Sequence, residues 1–225
     1  MSRGRETLPE GAWPLLHRIG QWLSVLFVRL PFRVRIHHRE RVPRTGGVVL
    51  VANHSSLVDG PLLYGMVPRS AVFLIKHEMF RGPLGWFLRR FGQLPIKRGE
   101  VDRAPLLAAV KILRAGGLVG VFPEGTRGEG QVDSAQHGAA WLARTAGAQL
   151  VPVACRGTRR PGGARRRFLP KVEVLFGHPV TLPETKGRAG LDAATEQVRA
   201  ELVELLAQLD GRPDQHADET RGMRA

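Results

Sequence analysis

Asn53, His54, Ser55, Ser56 and Asp59 follow directly on an apolar run, Val48 to Ala52. An imidazole is the usual side chain for taking a proton from a hydroxyl near pH 7. A carboxylate on its second ring nitrogen would fix the tautomer and stabilise the imidazolium. Spacing sets a condition. Five steps along a straight helix turn about 140°, so His54 and Asp59 meet only if residues 54 to 59 form a turn. Asn53, Ser55, Ser56 and Gly60-Pro61 all favour one. The same residues suit a plain capping cluster, with Asn53, Ser55 or Asp59 capping the next helix and His54 incidental. The sequence leaves both open.

Two further stretches carry charge at the end of an apolar run. In "GQLPIKRGE", Lys97 and Arg98 follow a short strand. Arginine grips a phosphate with two parallel hydrogen bonds and lysine acts as a point charge; a solvated edge turn would read the same way. In "VFPEGTRGEG", Pro123, Glu124, Gly125, Thr126 and Arg127 follow "LVGVF". Amides around Gly125 and Thr126, with Arg127, could form an anion cradle. The alternative is a β-turn holding an internal Glu124–Arg127 ion pair. No metal site is expected: His77, His137 and His178 have no partners at ligand spacing, and one cysteine cannot build a thiolate zinc site. Neither GxGxxG, GxxxxGK[ST] nor GxSxG occurs, so dinucleotide, P-loop and nucleophile-elbow readings have no support.

The elements that must position these residues alternate between helix-like and strand-like, which favours an α/β fold. The spacing predicts strands over 33–38, 46–53, 71–76 and 118–122, with shorter or later ones at "GQLPIKRGE", "LVPVAC" and "KVEVLFGHPV". It predicts helices over 13–30, from about Pro61, over 78–91 with a break at Gly82-Pro83, and over 102–115, 133–146 and 190–209. His54, Lys97, Arg98, Glu124 and Arg127 then all fall where strands become loops, the place where open α/β sheets collect ligands. A length of 225 residues suits one domain, and 43% hydrophobic residues suffice for a core. Residues 1–32 form a tail and an amphipathic helix, 33–210 the main domain, and 211–225 a polar tail expected to be disordered.

Net charge is +14, with 34 Lys and Arg against 20 Asp and Glu, a field that attracts polyanions. "RGTRRPGGARRRF", 156–168, is a basic loop; aromatics do not interleave with it apart from Phe168, and anionic lipid suits it at least as well as nucleic acid. The lone Cys155 lies inside an apolar strand and reads as a buried thiol. Residues 13–32 carry His17, Arg18 and Arg29 and so are not read as a span, which needs about 20 mostly uncharged residues. On a helical wheel His17, Arg18, Gln21, Ser24 and Arg29 share one side, with Val25 and Val28 intruding. Leu15, Leu16, Ile19, Leu23, Leu26 and Leu30 fill the other, with Trp13 and Trp22 at its edges. Such a helix either lies in a membrane interface or packs on the domain's own core.

Taken together, these stretches resemble the four ordered blocks of the glycerolipid acyltransferase family, which includes 1-acyl-glycerol-3-phosphate acyltransferases. The N-H-x-x-x-x-D block is Asn53-His54 to Asp59. The G-x-I-x-I-x-R block is "GQLPIKR", with Gly92, Ile96 and Arg98 in place, Pro95 where a bulky apolar residue is more usual, and Lys97 where an acidic one is. F-P-E-G-T-R is complete from Phe122 to Arg127, and V-P-V is Val151 to Val153. The resemblance implies a single sheet flanked by helices and an N-terminal amphipathic helix at a membrane interface. It implies an enzyme moving an acyl group from acyl-CoA or acyl carrier protein to lysophosphatidic acid, giving phosphatidic acid, with no metal or other cofactor. By position, His54 is the general base and Asp59 its orienting partner. Arg98, Glu124, Gly125, Thr126 and Arg127 belong to the acceptor-binding blocks, and Lys97 joins them on charge alone. Expected partners are the acyl donor, a lysophospholipid acceptor and an anionic membrane surface on the cytoplasmic face; no nucleic acid is expected. Alternatives are another lysolipid or glycerol 3-phosphate as acceptor, or a non-catalytic basic module for membrane or nucleic acid.

Overall fold

The structure is a computed structural model that describes residues 7–97, 103–122, 132–159, 169–182 and 187–211. Its centre is β2 (Val48–Ala52), buried at every position; a strand covered on both faces must read as an unbroken apolar run. The other strands are β1 (Arg33–His37), β3 (Ala71–Lys76), β4 (Leu94–Ile96), β5 (Leu118–Val121), β6 (Gln149–Arg156) and β7 (Lys171–Phe176). They form one seven-stranded sheet in the order β1-β7-β6-β2-β5-β3-β4. Every adjacent pair is parallel except β6 and β7. The C-terminal ends of β2, β3, β4, β5 and β6 therefore open at one edge, which the sequence pattern could only suggest.

Six helices are described: α1 (Pro14–Arg29), α2 (Asp59–Met66), α3 (Gly82–Arg90), α4 (Arg103–Arg114), α5 (Val132–Ala146) and α6 (Gly187–Asp210). Alternate residues of β2 serve two layers. Val48, Leu50 and Ala52 pack with Val28 of α1 and with Leu62, Leu63 and Met66 of α2. Val49 and Val51 pack with Val110 and Leu113 of α4, Leu142 of α5 and Val198 of α6. Pro95 sits in the outermost strand β4, where a missing N–H costs no ladder bond.

Some boundaries moved. β2 stops at Ala52 rather than Asn53, because the Asn53 side chain takes over the pairing with Cys155. α2 starts at Asp59, two residues before the expected proline, since Asp59 N already bonds Ser56 O. The stretch around 78–91 divides into a 3-10 turn, His77–Phe80, and α3, which opens on Gly82 at φ 58. A 3-10 turn at Arg39–Arg41 was not anticipated. The expected disorder of the tail concerns residues that, beyond Gly211, lie outside the described ones.

α1 does not pack its wide apolar face on the core. The side toward the domain carries buried His17, Gly20 and Val28. Gln21 donates to the carbonyls of Tyr64 and Arg69. Leu15 is 70% exposed, Trp22 63% and Leu30 67%, and Trp13, Ile19, Leu23, Leu26 and Phe27 are exposed with them. Among the described residues no helix is long and apolar enough to cross a membrane.

Candidate active site

Residues 53–58 leave the end of β2 without helical or strand structure, and Asp59 opens α2. The carboxylate points back into this turn: Asp59 Oδ2 accepts the amides of Ser55 and Ser56, each at 2.7 Å. His54 Nδ1 stands 3.2 Å from the same oxygen. Capping and pairing share this turn: Ser56 Oγ accepts the Val58 amide at 3.2 Å, and the Asp59 oxygen that takes the two serine amides also faces His54. The turn brings together two residues that a continuous helix would separate.

Exposure divides the labour. The Asp59 side chain is 0% exposed and that of His54 is 21% exposed. Burial alone would raise the Asp59 pKa. The neighbouring His54 and Thr158 side chains and the hydrogen bonds from the Ser56 and Ser55 amides outweigh it and hold the carboxyl below its usual range. Asp59 is thus an anion locked behind a partly open imidazole.

One side of the imidazole is walled by aromatics. Phe122, the residue after β5, lies against His54 with ring centroids 4.5 Å apart, and Phe73 of β3 stacks on Phe122 at 5.7 Å. The ring of Phe73 crosses Gly120, where a Cβ would come within 2.2 Å of it; any larger residue would push the stack off the sheet. On the other side, Asn53 Nδ2 donates to the Cys155 carbonyl at 2.9 Å and Cys155 N donates to Asn53 Oδ1 at 2.7 Å. This two-way amide joins the ends of β2 and β6. Burial raises the pKa of the fully buried Cys155 thiol well above its ordinary range, which fits a structural residue.

Of the residues singled out from sequence, His54 and Asp59 meet. Lys97 follows β4 at the same edge, exposed, three strands from β2, or about 14 Å by strand spacing. Arg98, Glu124, Gly125, Thr126 and Arg127 lie outside the described residues. The described chain carries their blocks as far as Lys97 and Phe122, and Phe122 touches His54. Sequence reasoning missed Phe73, which has no motif, and Thr158. The signal for Thr158 was present: a polar residue just past the end of a buried strand, as His54 is past β2.

Residues 33–156 match the family described as Acyltransferase, and the chain belongs to that family. It is 29% identical over 183 residues, 79% of this chain and 90% of the relative, to a 1-acyl-sn-glycerol-3-phosphate acyltransferase of Bacillus subtilis. It is 33% identical over 132 residues to the human 1-acyl-sn-glycerol-3-phosphate acyltransferase beta, covering 56% of this chain and 47% of that protein. Its fold is similar to the crystal structure of the 1-acyl-sn-glycerophosphate (LPA) acyltransferase PlsC of Thermotoga maritima, with TM-score 0.62 and 28% identity over 88% of this chain and 80% of that one.

Proposed function

We propose that this chain transfers a fatty acyl group from acyl-CoA or acyl carrier protein to the free hydroxyl of 1-acyl-glycerol 3-phosphate, giving phosphatidic acid. The observation that carries the reading is His54 Nδ1 at 3.2 Å from a fully buried carboxylate, at the edge where the strands of an acyltransferase-family sheet open. A neutral imidazole keeps its proton on Nδ1, toward Asp59, and leaves Nε2 as the base. Nε2 takes the acceptor's hydroxyl proton as that oxygen bonds to the thioester carbonyl carbon. Asp59 stabilises the imidazolium that results. Collapse of the tetrahedral intermediate breaks the C–S bond, and the leaving thiolate takes the proton from Nε2. Ester and free thiol result, and His54 is neutral again. In this reading Arg98 and Arg127 hold the phosphate, with Glu124, Thr126 and Lys97 around the acceptor. The reading assigns stabilisation of the oxyanion to amides near Gly125, since fixed donors act most strongly there.

The lipid substrates place the enzyme at a membrane, and α1 supports an interfacial position. Its apolar side faces outward while His17 Nδ1 and Gln21 bond inward. The outward apolar surface continues on α3 with Leu84, Trp86 and Phe87. Arg90 joins the two, its guanidinium 4.8 Å from the Trp13 ring and 5.7 Å from that of Trp86. Trp and Arg beside an apolar face suit the water–lipid boundary. The cytoplasmic face is the side that holds soluble acyl donors.

The test is ester formation by the purified chain with one acyl donor. Its acceptors are 1-acyl-glycerol 3-phosphate, glycerol 3-phosphate and lysophospholipids with other head groups. The highest kcat/KM is expected with 1-acyl-glycerol 3-phosphate. A higher value with another acceptor would reassign the head group, and no ester on any acceptor would end the proposal.

A further inference from the structure

The Ser55 turn has a second support that arrives from 103 residues further along the chain. β6 ends at Arg156. Gly157 follows at φ +83, and a Cβ there would stand 2.1 Å from the Lys171 carbonyl oxygen. Only glycine combines that backbone angle with that clearance. The turn delivers buried Thr158 to the His54 loop, with Oγ1 3.1 Å from Ser55 Oγ. The Asn53–Cys155 amide pair fixes the two strand ends just behind it.

Hydrogen-bond arithmetic then points at the carboxylate. Oδ2 of Asp59 takes both amides and faces His54 Nδ1. Oδ1 is buried and has no partner at full hydrogen-bond geometry among the described residues. A buried carboxylate oxygen without a donor is costly. A hydroxyl can accept one bond and donate another. If Ser55 donates to Thr158, the Thr158 proton is left for Asp59.

We infer that Thr158 is a positioning residue for acyl transfer: its hydroxyl holds the Ser55 turn and the Asp59 carboxylate so that His54 Nδ1 meets Asp59 and Nε2 is presented to the acceptor. It acts through Asp59 and touches no reacting atom. The hydroxyl is also among the groups that keep Asp59 ionised against its burial. The inference rests on the acyl-transfer reading above for its kinetic consequence and on geometry for the rest.

Thr158→Val removes the hydroxyl at nearly constant volume, and Thr158→Ser keeps it. Thr158→Val is expected to lower kcat about 10-fold or more with the acceptor KM within about twofold, a loss confined to the transition state. Thr158→Ser is expected to restore kcat to within about threefold of the wild type. A wild-type kcat in Thr158→Val overturns the inference, and so does an equal loss in both variants, which would mark a steric role. Should Thr158→Val not fold, Thr158→Ala is read by the same criteria. A second readout is independent of turnover: spectra of the histidine-labelled protein should show the His54 Nδ1 proton held by the carboxylate. That resonance should be lost in the Val or Ala variant and kept in Ser. Its persistence without the hydroxyl overturns the inference even if the wild type acylates no acceptor, a result that by itself would strike only the acyl-transfer reading.

Discussion

His17 and His54 each set Nδ1 against an oxygen, yet they are different chemical objects. His17 lies on α1 and is 1% exposed. Its Nδ1 is 2.6 Å from the Phe91 carbonyl oxygen, and the Tyr64 hydroxyl donates to the His17 carbonyl at 2.9 Å. Its Nε2 is buried with no partner among the described residues. Burial holds its pKa below the ordinary imidazole value, and the bond to Phe91 only partly offsets this. His54 faces a full charge instead, and part of its side chain is open. A carbonyl fixes a ring, whereas a carboxylate also stabilises the charge the ring acquires. So His17 ties a helix in place, while His54 stands partly open with an anion behind it, where the proposed base must be.

The sharpest way to break this comparison is to remove each ring in turn. His54→Ala is expected to lower kcat/KM by about 10²–10⁴-fold with little change in unfolding temperature; near-normal turnover in an acyl-transfer assay would put the base elsewhere. Asp59→Asn keeps the shape and removes the charge. Its kcat should fall by about 10²-fold or more, and intact activity would mean that His54 needs no anion behind it. His17→Ala should show the reverse profile. Denaturant unfolding should register a loss of about 1–3 kcal/mol, while kcat per folded molecule stays within about twofold.

The smallest effect is a pH slope. The His17 pKa is lowered on folding, so below about pH 6.5 the unfolded chain binds a proton that the folded chain refuses. Stability should fall as pH drops below that value, by at most about 1.4 kcal/mol per pH unit from this group. His17→Gln should remove this part of the slope in unfolding temperature against pH, and an unchanged slope would assign it to other groups. Asp59 acts in a separate window. Its pKa is depressed, so its contribution is full above the ordinary carboxylate pKa of about 3.8 and fades only as pH falls further.

Much of the fold was legible in local pattern. β2 and β5 read as buried strands because a strand covered on both faces must be apolar throughout, and α6 buries Val198, Leu202, Leu205 and Leu209 as its spacing predicts. α1 carried an equally clear pattern, and its two faces were assigned, but which one meets the protein was not. That choice rests on Tyr64, Arg69 and Phe91, which accept the bonds of His17 and Gln21 and are remote in sequence. The start of α2 was placed at Pro61 by a rule about proline. The Asp59 side chain, drawn back onto two amides of its own turn, set it at Asp59.

By itself the sequence determined the residue types available for chemistry, their order at strand ends and the alternation of helices and strands. Those properties depend on near neighbours, and near neighbours are written side by side. Only the tertiary structure decided that β5 and β6 flank β2 in parallel, so that Phe122 and Thr158 reach the His54 turn from separate parts of the chain. It also decided that Asp59 is fully buried while His54 is not. Strand order and burial are properties of how distant segments pack, and no local spacing encodes them.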